Sequence, residues 1–181
     1  MALVSRPAPP APTAPTAAEA PARAALMLQA AAHHAQDFAP ARGMRSRVAV
    51  VACMDRRIDV MALFGLCAGD AYVIRNAGGL LTDDVRRSLA VAQHALGVEE
   101  ILLVRHTGCG MCGLDDEVFL DALARATGQR PTWRPGGFGD VEEGLRQDLA
   151  ALAEDPHVPA GAAARGFVYD VTDGTLTEVA T

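Results

Sequence analysis

Ile101-Leu102-Leu103-Val104-Arg105-His106-Thr107-Gly108-Cys109-Gly110-Met111-Cys112-Gly113 joins an aliphatic run to a glycine-spaced loop carrying one imidazole and two thiols. The aliphatic half, with Val98 flanking it, predicts a buried strand. In the loop, His106 and Cys109 stand three residues apart, and the glycines let the backbone fold tightly enough for both side chains to face one point. Two such ligands are part of a metal site and require a third from elsewhere in the chain.

A second stretch has the same grammar: Arg47-Val48-Ala49-Val50-Val51-Ala52 is a short apolar run that ends in Cys53-Met54-Asp55-Arg56-Arg57. In an open parallel sheet, ligands gather outside the carboxyl ends of the strands, where the strand order reverses. Cys53 therefore joins His106 and Cys109 as a Cys2His set with a fourth position free, the ligand pattern of a catalytic zinc, one per chain. Two thiolates cancel the charge of the dication, so the centre is a weaker Lewis acid than one held by three imidazoles, and its water needs help to ionise. Asp55 and Arg57, two residues apart on an extended loop, point the same way. A carboxylate held by a guanidinium keeps a low pKa.

Three motifs occur in order: Cys-x-Asp-x-Arg (Cys53, Asp55, Arg57) after the first strand, Arg75-Asn76-Ala77-Gly78-Gly79 after the second, and His-Thr-x-Cys-Gly (His106 to Gly110) after the third. Together they resemble the short type of β-class carbonic anhydrase, and the resemblance runs from Arg45 to Val179. It implies reversible hydration of carbon dioxide to bicarbonate and a proton by a zinc-bound hydroxide, which Asp55 and Arg57 orient as the catalytic pair. In some members of that family the Asp instead swings onto the zinc when the Arg releases it. The resemblance also implies a homodimer or a multiple of dimers, each active site near the subunit boundary, with the N-terminal helix reaching over the neighbouring subunit. None of His33, His34, His94 or His157 falls in a motif, so no proton carrier is assigned.

Two further readings stand beside this one. Hydrolases of carbonyl sulfide or carbon disulfide use the same fold and zinc set. Of another class is a non-catalytic thiol redox or zinc-sensing protein built on Cys109-x-x-Cys112; that reading leaves His106 and Cys53-x-Asp55-x-Arg57 unexplained. Outside the motif, Cys112 is read as a small buried or supporting thiol and Cys67 as a core residue of a short helix. His94 is read as a core or interface histidine, His33-His34 as a surface or subunit contact. Gly78-Gly79 fits neither the dinucleotide nor the P-loop spacing and is read as a tight turn that brings backbone close to the metal loop.

The rest of the chain supplies the frame for a single α/β domain: a central mainly parallel four-stranded sheet plus an edge strand, with helices on both faces. Strands are expected at Arg47–Ala52, Ala71–Ile74, Ile101–Val104 and Gly166–Val171, with Leu176–Val179 at the edge after an Asp173-Gly174 turn. Helices are expected at Ala22–Phe38, Ile58–Leu66, Thr82–Leu96, Asp115–Thr127 and Asp140–Glu154, the third stopped by Gly97. The segment Gln129–Gly139, with two prolines and three glycines around Trp133 and Phe138, is a loop. Residues 1–21 form a Pro/Ala-rich disordered tail, with five prolines between Pro7 and Pro15. The zinc-binding domain occupies 22–181.

The bulk properties narrow the function. With 181 residues, half of them apolar, the chain has enough material for one core. A net charge of −6 and a pI near 5.3 give no electrostatic case for a nucleic-acid partner. No apolar run approaches the roughly 18 residues of a membrane span, and the N-terminus lacks the apolar stretch of a secretory signal, so a cytoplasmic protein with reduced thiols is expected.

Overall fold

The computed structural model describes residues 19–36, 38–39 and 47–180. The chain divides into two units, Met1–Pro40 and Ala41–Thr181. In the first, helix α1 covers Glu19–Gln36 and exposes Leu26, Met27 and Leu28. It starts three residues before the expected boundary and includes Pro21, which the first turn of a helix tolerates because its missing N–H has no intrahelical acceptor there. Residues 1–18 of the expected tail lie outside the described residues.

In the second unit the described residues form a five-stranded sheet in the order β2-β1-β3-β4-β5. Its strands are β1 (Val48–Cys53), β2 (Ala71–Asn76), β3 (Glu100–His106), β4 (Arg165–Tyr169) and β5 (Leu176–Val179). The first four run parallel, and β5 pairs antiparallel with β4 at the edge. Strand β1 is covered on both faces and reads Val-Ala-Val-Val-Ala-Cys without a polar residue, as a central parallel strand must. From β1 the chain goes to β2 on one side and then crosses to β3 on the other. The carboxyl ends of β1 and β3 therefore flank the point where the order reverses.

Helices α3 (Asp83–Leu96) and α5 (Val141–Ala153) cover one face. Val85, Leu89 and Ala92 of α3, and Leu145, Leu149 and Leu152 of α5, recur at helical spacing and meet Ala49, Val51, Ile101 and Leu103 of the sheet. Each fully buried Leu among them contributes roughly 1.5–3 kcal/mol. Ala49, Val50, Val51 and Ala52 are small, which lets the helices pack close in a chain with few aromatics. The opposite face packs Val50, Ala52 and Val104 against Ile58, Val60, Leu63 and Phe64 around the short helix α2 (Val60–Leu63). This helix is shorter than expected: Asp59 caps it, and a turn at Gly65 ends it.

Helix α4 (Asp116–Thr127) buries only Leu120 and is tied to the following loop by charge. Asp116 accepts from the backbone N–H groups of Gly136 and Gly137, and Arg130 and Arg134 pair with acids of α4. Phe138 N–H donates to Met111 O at 3.2 Å and Gly113 N–H to Phe138 O at 2.7 Å, so the segment 129–139 straps the loop that follows β3.

Candidate metal centre

Strand β1 ends at Cys53 and β3 at His106, and the register Ala52↔Val104 sets those ends side by side. Cys109 returns on the loop after β3. The ligand atoms of Cys53, His106 and Cys109 all lie within 4.8 Å of one another, and all three residues are buried. The two sulfurs are 3.9 Å apart.

The ring orientation of His106 fits a metal. Nδ1 lies 2.9 Å from the carbonyl of Thr107, which fixes that nitrogen as the N–H donor and leaves Nε2 with its lone pair free. Nε2 is buried and has no hydrogen-bond partner among the described residues. A buried acceptor beside two buried thiols is the donor set of a thiolate-imidazole site. The three residues could hold a metal ion.

Electrostatics favour a thiolate at Cys53 and oppose one at Cys109. Burial opposes ionisation of Cys53, but contact with the His106 ring and the backbone of Asp55 and Gly78 outweighs it, lowering its pKa to about 7. Burial pushes Cys109 up. Cys53 is thus the first of the pair to ionise.

Asp55 lies next to this cluster, its Oδ2 3.8 Å from His106 Nε2. Arg57 grips it with three bonds: Nε and the backbone N–H donate to Oδ1, each at 2.9 Å, and Nη2 donates to Oδ2 at 2.7 Å. The hydrogen bonds from Arg57 hold the Asp55 carboxyl well below the usual carboxylate range. A cavity of about 610 Å³ opens over the cluster, lined by Cys53, Met54, Asp55, Arg57, Gly78 and Met111 among others.

Two thiols fall elsewhere than expected. Cys112 is exposed, its Sγ directed at the carbonyl of Gly139 at 3.5 Å, because the 129–139 strap draws its backbone outward against Phe138. Cys67 is exposed too, since the short helix ends before it and its N–H caps onto Asp70 in a turn. The sulfur near Cys109 is therefore that of Cys53. His94 is also exposed, with Nε2 3.1 Å from the carbonyl of His157.

The Arg75-Asn76-Ala77-Gly78-Gly79 motif acts on the backbone of the site: its glycines make the close backbone approach expected of them, and Arg75 has a role the sequence did not disclose. Arg75 donates from Nε and Nη2 to Cys53 O and from Nη2 to Asp55 O at 2.7 Å, fixing the path of the Cys53–Asp55 segment. Gly79, at φ +63°, packs so closely on the ends of β1 and β3 that a Cβ would sit 2.9 Å from both Cys53 N and Val104 O. A charged residue closing an apolar strand was the available signal for Arg75.

Fold and site together define an α/β protein with a Cys2His cluster at the switch point of a parallel sheet and an Asp–Arg pair beside it. The carbonic anhydrase family profile matches residues 48–127. A β-carbonic anhydrase 1 from Mycobacterium tuberculosis is 48% identical over 132 residues, 73% of this chain and 81% of that protein. The chain belongs to the β-carbonic anhydrase family. The crystal structure of a carbonic anhydrase from Streptococcus mutans superposes with a TM-score of 0.79 at 34% identity, covering 87% of this chain and 97% of that one. A carbon disulfide hydrolase from Acidithiobacillus thiooxidans is 33% identical over 150 residues, 72% of this chain and 75% of that protein.

Proposed function

We propose that this protein is a carbonic anhydrase, hydrating carbon dioxide reversibly to bicarbonate and a proton with one zinc per chain held by Cys53, His106 and Cys109. The observation that carries this reading is the convergence of two buried thiols and the unpartnered His106 Nε2 beside a carboxylate already engaged by arginine. Zinc held there would supply the Lewis acid that activates water as the nucleophile.

The chain's own residues do the rest. The Thr107 carbonyl holds the His106 ring in one tautomer. Arg57 keeps Asp55 ionised, so the carboxylate accepts a hydrogen bond and orients the attacking group instead of taking its proton. By gripping both carboxylate oxygens, Arg57 would also restrain Asp55 from turning onto a metal bound by the three residues, leaving room there for water. Met54 and Met111 give the cavity an apolar wall suited to a small uncharged triatomic. A homodimer or multiple of dimers and a cytoplasmic location complete the reading; the exposed Leu26, Met27 and Leu28 of α1 support an apolar contact with a second copy.

The 33% identical relative named as a carbon disulfide hydrolase motivates the second reading, since that substrate is also a linear triatomic. Hydration of carbon dioxide and hydrolysis of carbon disulfide, measured on one zinc-quantified preparation, separate the two. Rapid hydration with slow carbon disulfide turnover is expected, and the reverse ranking would replace the first reading by the second.

A further inference from the structure

On the face of the sheet covered by α3 and α5, away from the α2 side, Arg105 is buried at 2% exposure. Its Nη2 donates to Asp148 Oδ2 at 2.7 Å, and the same oxygen accepts from Leu81 N–H at 3.0 Å. The guanidinium carbon lies 4.6 Å from the centre of the Phe138 ring. The other two nitrogens, Nε and Nη1, are buried and have no hydrogen-bond partner among the described residues. A guanidinium cannot shed its proton, and stacking on an aromatic face does not satisfy donors at its edge. The guanidinium is thus paired with Asp148 on one side and holds two further donors unmet, which an oxygen acceptor beside them would satisfy.

A cavity of about 280 Å³ adjoins it, lined by Thr82, Arg105, Arg134, Gln147 and Asp148 and closed by the 134–138 strap. Arg134 at its mouth is largely exposed and pairs with Asp116 at 3.3 Å and Glu117 at 3.0 Å. Asp116 is itself satisfied by the N–H groups of Gly136 and Gly137. Asp148 is the acid that faces Arg105 directly, and its Oδ2 is shared with backbone. Gly144 of α5 makes room for the guanidinium, since a Cβ there would lie 2.2 Å from Nη1. We propose that this cavity is a binding site for a small oxyanion, held from within by Arg105 and at the mouth by Arg134.

Trp133 is the sole tryptophan and precedes the mouth residue Arg134, so its fluorescence is used to follow the site. Sulfate and, separately, acetate are titrated into zinc-loaded protein at constant ionic strength balanced with chloride; the two arms distinguish a tetrahedral from a planar oxyanion. A saturable fluorescence change is expected with at least one of them, weakened about tenfold or more in Arg105→Met and several-fold in Arg134→Ala. Crystals soaked in selenate should show an anomalous peak within hydrogen-bond distance of Arg105. If Arg105→Met does not fold, Arg134→Ala and the selenate position decide. No saturable change with either anion, identical curves in wild type and Arg134→Ala, or selenate confined to the Cys53 centre would overturn the proposal.

Discussion

Arg57 engages Asp55 through both Nε, at 2.9 Å, and Nη2, at 2.7 Å, while the same Nη2 reaches the carbonyl of Gly108 at 3.1 Å. One side chain thus fixes the carboxylate and clips the loop after β1 to the loop after β3. Replacing Arg57 by Ala should leave zinc content near one per chain but lower hydration by about 10²–10³-fold, because the carboxylate is no longer aimed. Arg57→Lys should recover only part of the loss, since an ammonium lacks the planar fork. Stopped-flow rates on zinc-quantified variants check both, and an Arg57→Ala enzyme of wild-type rate would remove the role given to the pair.

Cys53→Ser, His106→Ala and Cys109→Ser should each lose zinc affinity by more than the roughly 10–100-fold that removal of a supporting group costs, because each deletes a ligand. Competition with a chromophoric chelator gives the affinities. Retention of zinc in any one of the three would shift the ligand set.

Cys112→Ser should keep both zinc and activity, since this thiol faces solvent and Gly139 and not the cluster. Thiol titration with and without metal gives the complementary test: zinc should protect two of the four cysteines, Cys53 and Cys109. Protection of Cys112 in place of Cys53 would favour the dithiol reading.

Gly79→Ala should destabilise the fold by roughly 2–4 kcal/mol in urea unfolding, combining a left-handed backbone with a Cβ pressed onto Cys53 N and Val104 O. Gly110→Ala, where a Cβ meets open space, is the control and should change stability little.

Asp116 predicts an acid transition. The Gly137 and Gly136 N–H groups, then Arg134, lower its pKa in the fold. A group whose folded pKa is depressed contributes stability that is fully present above the unfolded carboxylate value and is lost as pH falls through the folded one. Trp133 emission should therefore change below the usual carboxylate range as the strap loosens. Asp116→Asn should remove that transition and show the loosened spectrum at neutral pH.

The parallel sheet and the convergence of Cys53, His106 and Cys109 were legible because apolar strands run straight into residues with chemistry: Cys53 at the end of β1, and His106 with Cys109 at and after the end of β3. What stayed hidden depends on pairings between distant parts of the chain. Nothing near Cys112 signals that Phe138 will pair with its backbone and turn the thiol outward. The Arg105–Asp148 contact joins residues 43 apart, and no local pattern marks either as a partner of the other. Arg75 stood in a recognised motif, but its work is done on the carbonyls of Cys53 and Asp55, which only the register of β1 with β2 brings within reach. The short α2 was overextended because Leu66 and Cys67 continue an apolar pattern past the turn that Gly65 makes.

The central claim is turnover at the Cys53, His106 and Cys109 centre under the direction of Asp55, and stopped-flow carbon dioxide hydration by wild type and Asp55→Asn at equal zinc content tests it most directly. Rapid hydration in the wild type, reduced about 10²-fold or more in the variant, is the predicted result. Equal rates in the two proteins, or no hydration by fully zinc-loaded wild type at any pH from mildly acidic to alkaline, would contradict it.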